Sequence, residues 1–147
     1  MATKEQQKEK IMDMLGNHST AMLVTHDQQK GLVSRPMTTQ TPDSDQDTVW
    51  FFVSSDSDVL DEIRANAEVN IAYTNEGDYL SISGAASIVT DDDKIKDLWY
   101  PELAKWFDGN GPESDDVRLI KVEIDTARYW DTSDDGPPQE DIVDYES

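Results

Sequence analysis

Apolar positions along the chain fall into short blocks, and their spacing changes from one block to the next. Ile11, Met14 and Leu15 stand at i, i+3 and i+4 among polar residues, which predicts an amphipathic helix over about residues 4–15, ended by Gly16-Asn17. "TAMLVTH" (20–26) is β-branched and apolar, and the polar turn "DQQKG" separates it from "LVSRPMTTQ" (32–40). "TVWFFVS" (48–54), the most apolar run, follows the polar loop "TPDSDQD". Three strands joined by short, turn-rich loops predict an antiparallel meander.

Helical spacing returns in "SDSDVLDEIRANAE", where Val59, Leu60 and Ile63 face inward and Ser57 is placed to cap, with Asp61 and Glu62 near the positive end. "VNIAYT" and "DYLSISGAASIVT" read as a strand pair about the turn "NEGD", and Gly84 inside the second marks a bulge or a close backbone approach. "DDDKIKDLWYPELAKWF" (91–107) predicts a helix that restarts at Pro101. "VRLIKVEI" alternates as a strand, and "TARYWD" reads as one more short strand. The sum is about six strands, mostly hairpin-linked, which close more readily into a barrel than an open sheet. One domain is expected over residues 1–131. Residues 132–147, acidic and without a base, predict a mobile or loosely docked tail.

Charge narrows the partners. Asp and Glu number 32 against 12 Lys and Arg, a formal net charge of -20. Such a surface repels phosphate backbones and anionic lipid, so neither nucleic acid nor membrane is expected as a partner. The acid is spread along the whole chain, which suits solubility in a salt-rich cytoplasm better than a single binding site. The N-terminal residues are charged and amphipathic, unlike a signal peptide, and no run approaches the roughly 20 apolar residues of a membrane span. A cytoplasmic location is the expectation.

Chemistry is thinly marked. The chain has no cysteine, and its two histidines, His18 and His26, lack the spacing of a metal site. Asp91–Asp93 suit a helix start better than a cation. No nucleophile elbow, P-loop or Rossmann fingerprint occurs. What stands out is Arg35, one basic residue set before Pro36 in "VSRPMT". Pro36 keeps Arg35 extended and places the strand at an edge, with Arg35, Met37 and Thr39 sharing one face. Two roles are open to that guanidinium. A salt bridge to one of many acids is the simpler; bidentate capture of a phosphate or carboxylate is the other.

Order and wording together are more specific. "LVSRPMT", "VWFFVSSDSDVLDEIRAN", "YLSISGAASI", "DDDKIKDLWYPELAKWF" and "ARYWD" resemble the landmarks of the general stress protein 26 family. That family lies within the pyridoxamine 5'-phosphate oxidase-like, FMN-binding split-barrel superfamily. The resemblance implies a mainly β fold, a six-stranded antiparallel split β-barrel with flanking helices, assembled as a homodimer that holds FMN in a groove between subunits. It puts Arg35 at the flavin phosphate, and Pro36, Met37, Thr38 and Gln40 along the isoalloxazine ring. Phe52, Val53 and Ser54 fall where the next strand passes the cofactor, and Ser57 opens the helix beside it. Tyr79 falls where the oxidases touch the ring from the neighbouring subunit.

The sequence departs from this pattern at Asp58 and Val59, where the superfamily usually carries basic residues. Each charge-assisted bond contributes on the order of 1.5–3 kcal/mol, so losing two weakens phosphate binding roughly a hundredfold or more. The oxidase's C-terminal grip on pyridoxamine phosphate also has no counterpart, so vitamin B6 synthesis is not expected. Two functions follow: a flavin-binding stress protein with oxidoreductase activity on a small molecule, or a non-enzymatic split-barrel binding module without its flavin phosphate site.

Overall fold

The computed structural model describes residues 2–42, 45–133 and 135–145. Helix α1 (Lys4–Leu15) leads into strands β1 (Thr20–Asp27), β2 (Gly31–Thr38) and β3 (Thr48–Ser54). Helix α2 (Asp58–Ala65), strands β4 (Glu68–Asn75) and β5 (Asp78–Val89) and helix α3 (Asp92–Leu98) follow. A 3-10 helix (Pro101–Phe107), strand β6 (Val117–Asp131) and strand β7 (Gln139–Asp144) complete the chain. The strands form one antiparallel sheet in the order β2-β1-β4-β5-β6-β3, with β7 added to β6.

The sheet curls but does not close along its length. Among the described residues its two edges, β2 and β3, approach at one bridge, where Gln40 and Trp50 exchange backbone hydrogen bonds of 2.8 and 2.9 Å. This is a barrel split along one seam. Pro36, without an N–H, occupies the edge strand β2, where it interrupts no central ladder. Alternation packs Leu23, Phe51, Ile71, Ile82, Ile120 and Val122 into the interior, and α1 covers it with Ile11 and Leu15.

Sequence and structure differ at three points. Residues 117–131 form one strand, not two. Ser83 pairs with Thr126 and Gly84 with Ile124, so Asp125 is the extra residue of a bulge. The bulge shifts the phase of alternation, which is why "TARYWD" read as separate. Gly84 serves both expected purposes, since a Cβ there would lie 2.2 Å from the Glu123 carbonyl oxygen.

The second difference is the tail. Gln139–Asp144 pairs with β6 over its whole length, and Val143 is buried in the main core. Its acids find counterparts elsewhere in the chain: Arg128 pairs with Glu140, and Gln7 of α1 donates to Asp141 at 2.8 Å. Lys10 of the same helix donates to Gln139 at 3.1 Å. Asp134, Glu146 and Ser147 of the tail lie outside the described residues. The third is a cap: Ser57 occupies the N-cap position of α2, yet its side chain makes no capping hydrogen bond.

Candidate functional site: the groove at the seam

Where the barrel splits, a groove of about 450 Å³ opens between β2 and β3. One wall is Pro36, Met37, Thr38 and Gln40; the other is Phe52, Val53 and Ser54, with Ser57 at the turn into α2. The segment after α3 forms the remaining side through Tyr100, Leu103, Trp106 and Phe107. Pro101 starts that 3-10 turn and Leu103 and Phe107 are buried, so the turn is held down while Trp106 stays 71% exposed. Trp99 meets Phe52 edge-on, with centroids 5.7 Å apart, and ties this arm to β3.

The groove's polar groups are held in place by the surrounding fold. Gln40 is buried, its backbone spent on the seam bridge and its side-chain amide 3.4 Å from the Tyr100 hydroxyl. Tyr100 stacks on His18 at 4.0 Å between centroids, and the His18 amide donates to the Thr39 carbonyl at 2.8 Å. The Ser54 hydroxyl donates to Asp56 at 2.7 Å. The wall as a whole is aromatic and aliphatic, with hydroxyls and one amide around it. Such a cleft suits a flat, largely apolar molecule with a polar edge.

Arg35, which the resemblance puts at the flavin phosphate, is absent from that lining. Its side chain shares the inward face with Met37, and one guanidinium nitrogen lies 2.6 Å from a Glu62 carboxylate oxygen. The other donates to the Thr25 hydroxyl at 2.9 Å and to the Leu23 carbonyl at 3.2 Å. Thr25, fully buried, donates in turn to the same Glu62 oxygen at 2.5 Å. Of the two roles open to Arg35, the salt bridge is the one the fold adopts. Position in a shared motif did not reveal this because the partner lies 27 residues away on α2.

Val59, the second position where a base is usual, is a buried core residue of α2. A lysine there would meet the interior, not the groove. Tyr79 stands apart from the groove, exposed and opposite Trp130 on β6. Eight residues that the resemblance puts at the cofactor therefore line one cleft, while Arg35 and Tyr79 do not. The arm's Leu103 and Trp106 line the cleft as well, and so does Thr20 at the start of β1.

This geometry belongs to a recognised group. The family model described as "Pyridoxamine 5'-phosphate oxidase like" matches residues 6–138, and the chain belongs to that family. Its fold is that of the general stress protein 26 structures. The one from Bacillus anthracis superposes with a TM-score of 0.73 at 26% identity, covering 84% of this chain and 92% of that one. The general stress FMN/FAD binding protein from Xanthomonas citri superposes with a TM-score of 0.77 at 28% identity, over 92% of this chain and 94% of that one. Protein bli-3 of Neurospora crassa is 34% identical over 134 residues, 82% of this chain and 64% of that protein. The chain thus spans less than two thirds of that relative.

Proposed function

We propose that the seam groove binds the isoalloxazine ring of a flavin, in an assembly of two copies of the chain. The observation that carries this is the convergence of β2, β3 and the aromatic arm on one cleft of about 450 Å³, a volume suited to a small molecule. Pro36, Met37 and Phe52 supply apolar surface for a ring face, and Trp106 an exposed aromatic plane. Gln40 and Thr38 supply hydrogen-bonding groups for the ring's edge. The similar Xanthomonas citri protein, an FMN/FAD binding one, supports the same ligand class. A bound flavin would supply redox chemistry, and the chain's part is then to orient the ring and limit its contact with water.

The second copy is inferred from the sheet's outer face. Pro36, Met22, Ala72 and Ser81 form one cross-strand row, and Ser34, Val24, Asn70 and Ser83 the next. All eight are uncharged in a chain that is 30% charged. Pro36 belongs both to this face and to the groove, so a copy seated on the face would border the ligand.

A second reading has its own observation: with Arg35 bound to Glu62, the groove lacks the expected phosphate partner. A non-enzymatic binding module is consistent with that. Titration of riboflavin and of FMN fluorescence with the purified chain separates the two. Saturable quenching of either supports the flavin reading. No quenching of both at high protein concentration, with the fold intact by circular dichroism, favours the module.

A further inference from the structure

We infer, resting on the flavin reading, that the groove selects the uncharged flavin nucleus, as in riboflavin, over its phosphorylated forms. Among the described residues, none of the lining side chains carries a charge at neutral pH. A phosphate dianion would therefore depend on charges just outside the wall, and these are unfavourable. Along the sequence, the basic residues next to lining positions are Arg35 and Lys105, and the acidic ones are Asp56, Asp58, Glu102 and Asp108. Across the sheet, Arg118 stands opposite Val53, and its guanidinium is taken up by the Asp115 and Val117 carbonyls at 2.5 and 3.0 Å. Arg35 is neutralised by Glu62 inside the barrel. Lys105 lies on the exposed side of the arm, its ammonium 5.3 Å from the Trp106 ring centroid, where solvent screens it.

At the α2 end the wall is guarded by acid. Asp56 accepts the Ser54 hydroxyl hydrogen at 2.7 Å, so that hydroxyl is occupied and a carboxylate stands directly behind it. Asp58 and Asp61 already occupy the first turn of α2, facing its positive end. A second copy seated on the uncharged sheet face meets neutral rows, and Arg128, next along from Ser81, is paired with Glu140. A phosphate entering this end would meet carboxylates at short range and a net charge of -20 at long range. The ribityl hydroxyls of an unphosphorylated flavin meet neither penalty, and Asp56 can accept a hydrogen bond from one of them.

The test is a pair of titrations of the full chain, with riboflavin and with FMN, at low and at high salt. Riboflavin is expected to bind severalfold more tightly than FMN. FMN affinity should rise with added salt while riboflavin affinity stays flat, since only the anion is repelled. Asp56→Lys should shift the affinity ratio toward FMN by about tenfold, the scale of one charge-assisted contact. FMN binding as tightly as riboflavin or more tightly overturns the selectivity and leaves the flavin reading standing. An unchanged ratio in folded Asp56→Lys overturns it too. If neither flavin binds, the flavin reading fails and the selectivity with it. Should the variant not fold, the two wild-type affinities decide.

Discussion

The guanidinium of Arg35 on β2 sits 2.6 Å from the carboxylate of Glu62 on α2, and Thr25 between them bonds to both. With 24% and 10% of their side chains exposed, the two are partly buried. Breaking such a pair leaves a charge without a partner in a poorly solvated place. Glu62→Ala should cost roughly 2–4 kcal/mol, below the upper range for fully buried pairs because Arg35 keeps some solvent. Arg35→Met combined with the same Glu62→Ala should recover most of it. Urea denaturation of both single variants and the double variant checks this, and additive losses would contradict the pairing.

Gly84 predicts the sharpest single-site loss. A methyl group would enter the space of the Glu123 carbonyl oxygen, which is backbone and cannot swing away. Gly84→Ala should destabilise the fold by roughly 3 kcal/mol or more, beyond ordinary overpacking. A melting temperature close to that of the parent chain would show that the bulge can relax.

Trp106 separates binding from stability. Being 71% exposed, it contributes little to the core. Trp106→Ala should weaken flavin binding by about threefold to tenfold, the scale of one aromatic contact, with a small change in melting temperature. Fluorescence titration beside thermal denaturation reads both quantities.

The sheet face can be tested by charge. Met22 sits in the middle of the uncharged row and is exposed in the single chain. Met22→Glu should convert a dimer into a monomer in analytical ultracentrifugation, because the same carboxylate would appear on both sides of the contact. A parent chain that is itself monomeric at high concentration would rule out the two-copy assembly.

Asp78 and Asp131 face one another across β5 and β6. Burial, then the charge of Asp131, raises the Asp78 carboxyl above its ordinary value, while hydrogen bonds from Ser133 lower that of Asp131. The raised group binds its proton more readily folded than unfolded, so its contribution to stability falls as pH rises through the carboxylate range. Asp78→Asn should stabilise the chain at neutral pH by about 0.2–1 kcal/mol, and the gain should fade in acid once both carboxyls are protonated. Melting temperatures from neutral to acidic pH test the sign.

Much of the fold was legible because it rests on local patterns. The periods of α1, β1 and β3, the turn before Asp78 and the glycine in β5 all act within a few residues. What escaped notice depends on distant partners. β7 docks because Arg128 and α1 answer its acids, which composition of the tail alone cannot show. β6 looked interrupted because its bulge is accommodated by Gly84 on another strand. At the site, the β2 and β3 positions fell into one cleft because alternation and the edge location carried them there. Arg35 left it because motif position says nothing of Glu62.

The central claim is that a flavin ring occupies the seam. Amide and indole chemical shifts of isotopically labelled protein, followed as riboflavin or FMN is added, test it most directly. Ring-current shifts should concentrate on Met37, Thr38, Gln40, Phe52, Val53, Ser54 and the Trp106 indole, and saturate with the binding curve. Shifts centred elsewhere, or none at saturating flavin, would contradict it.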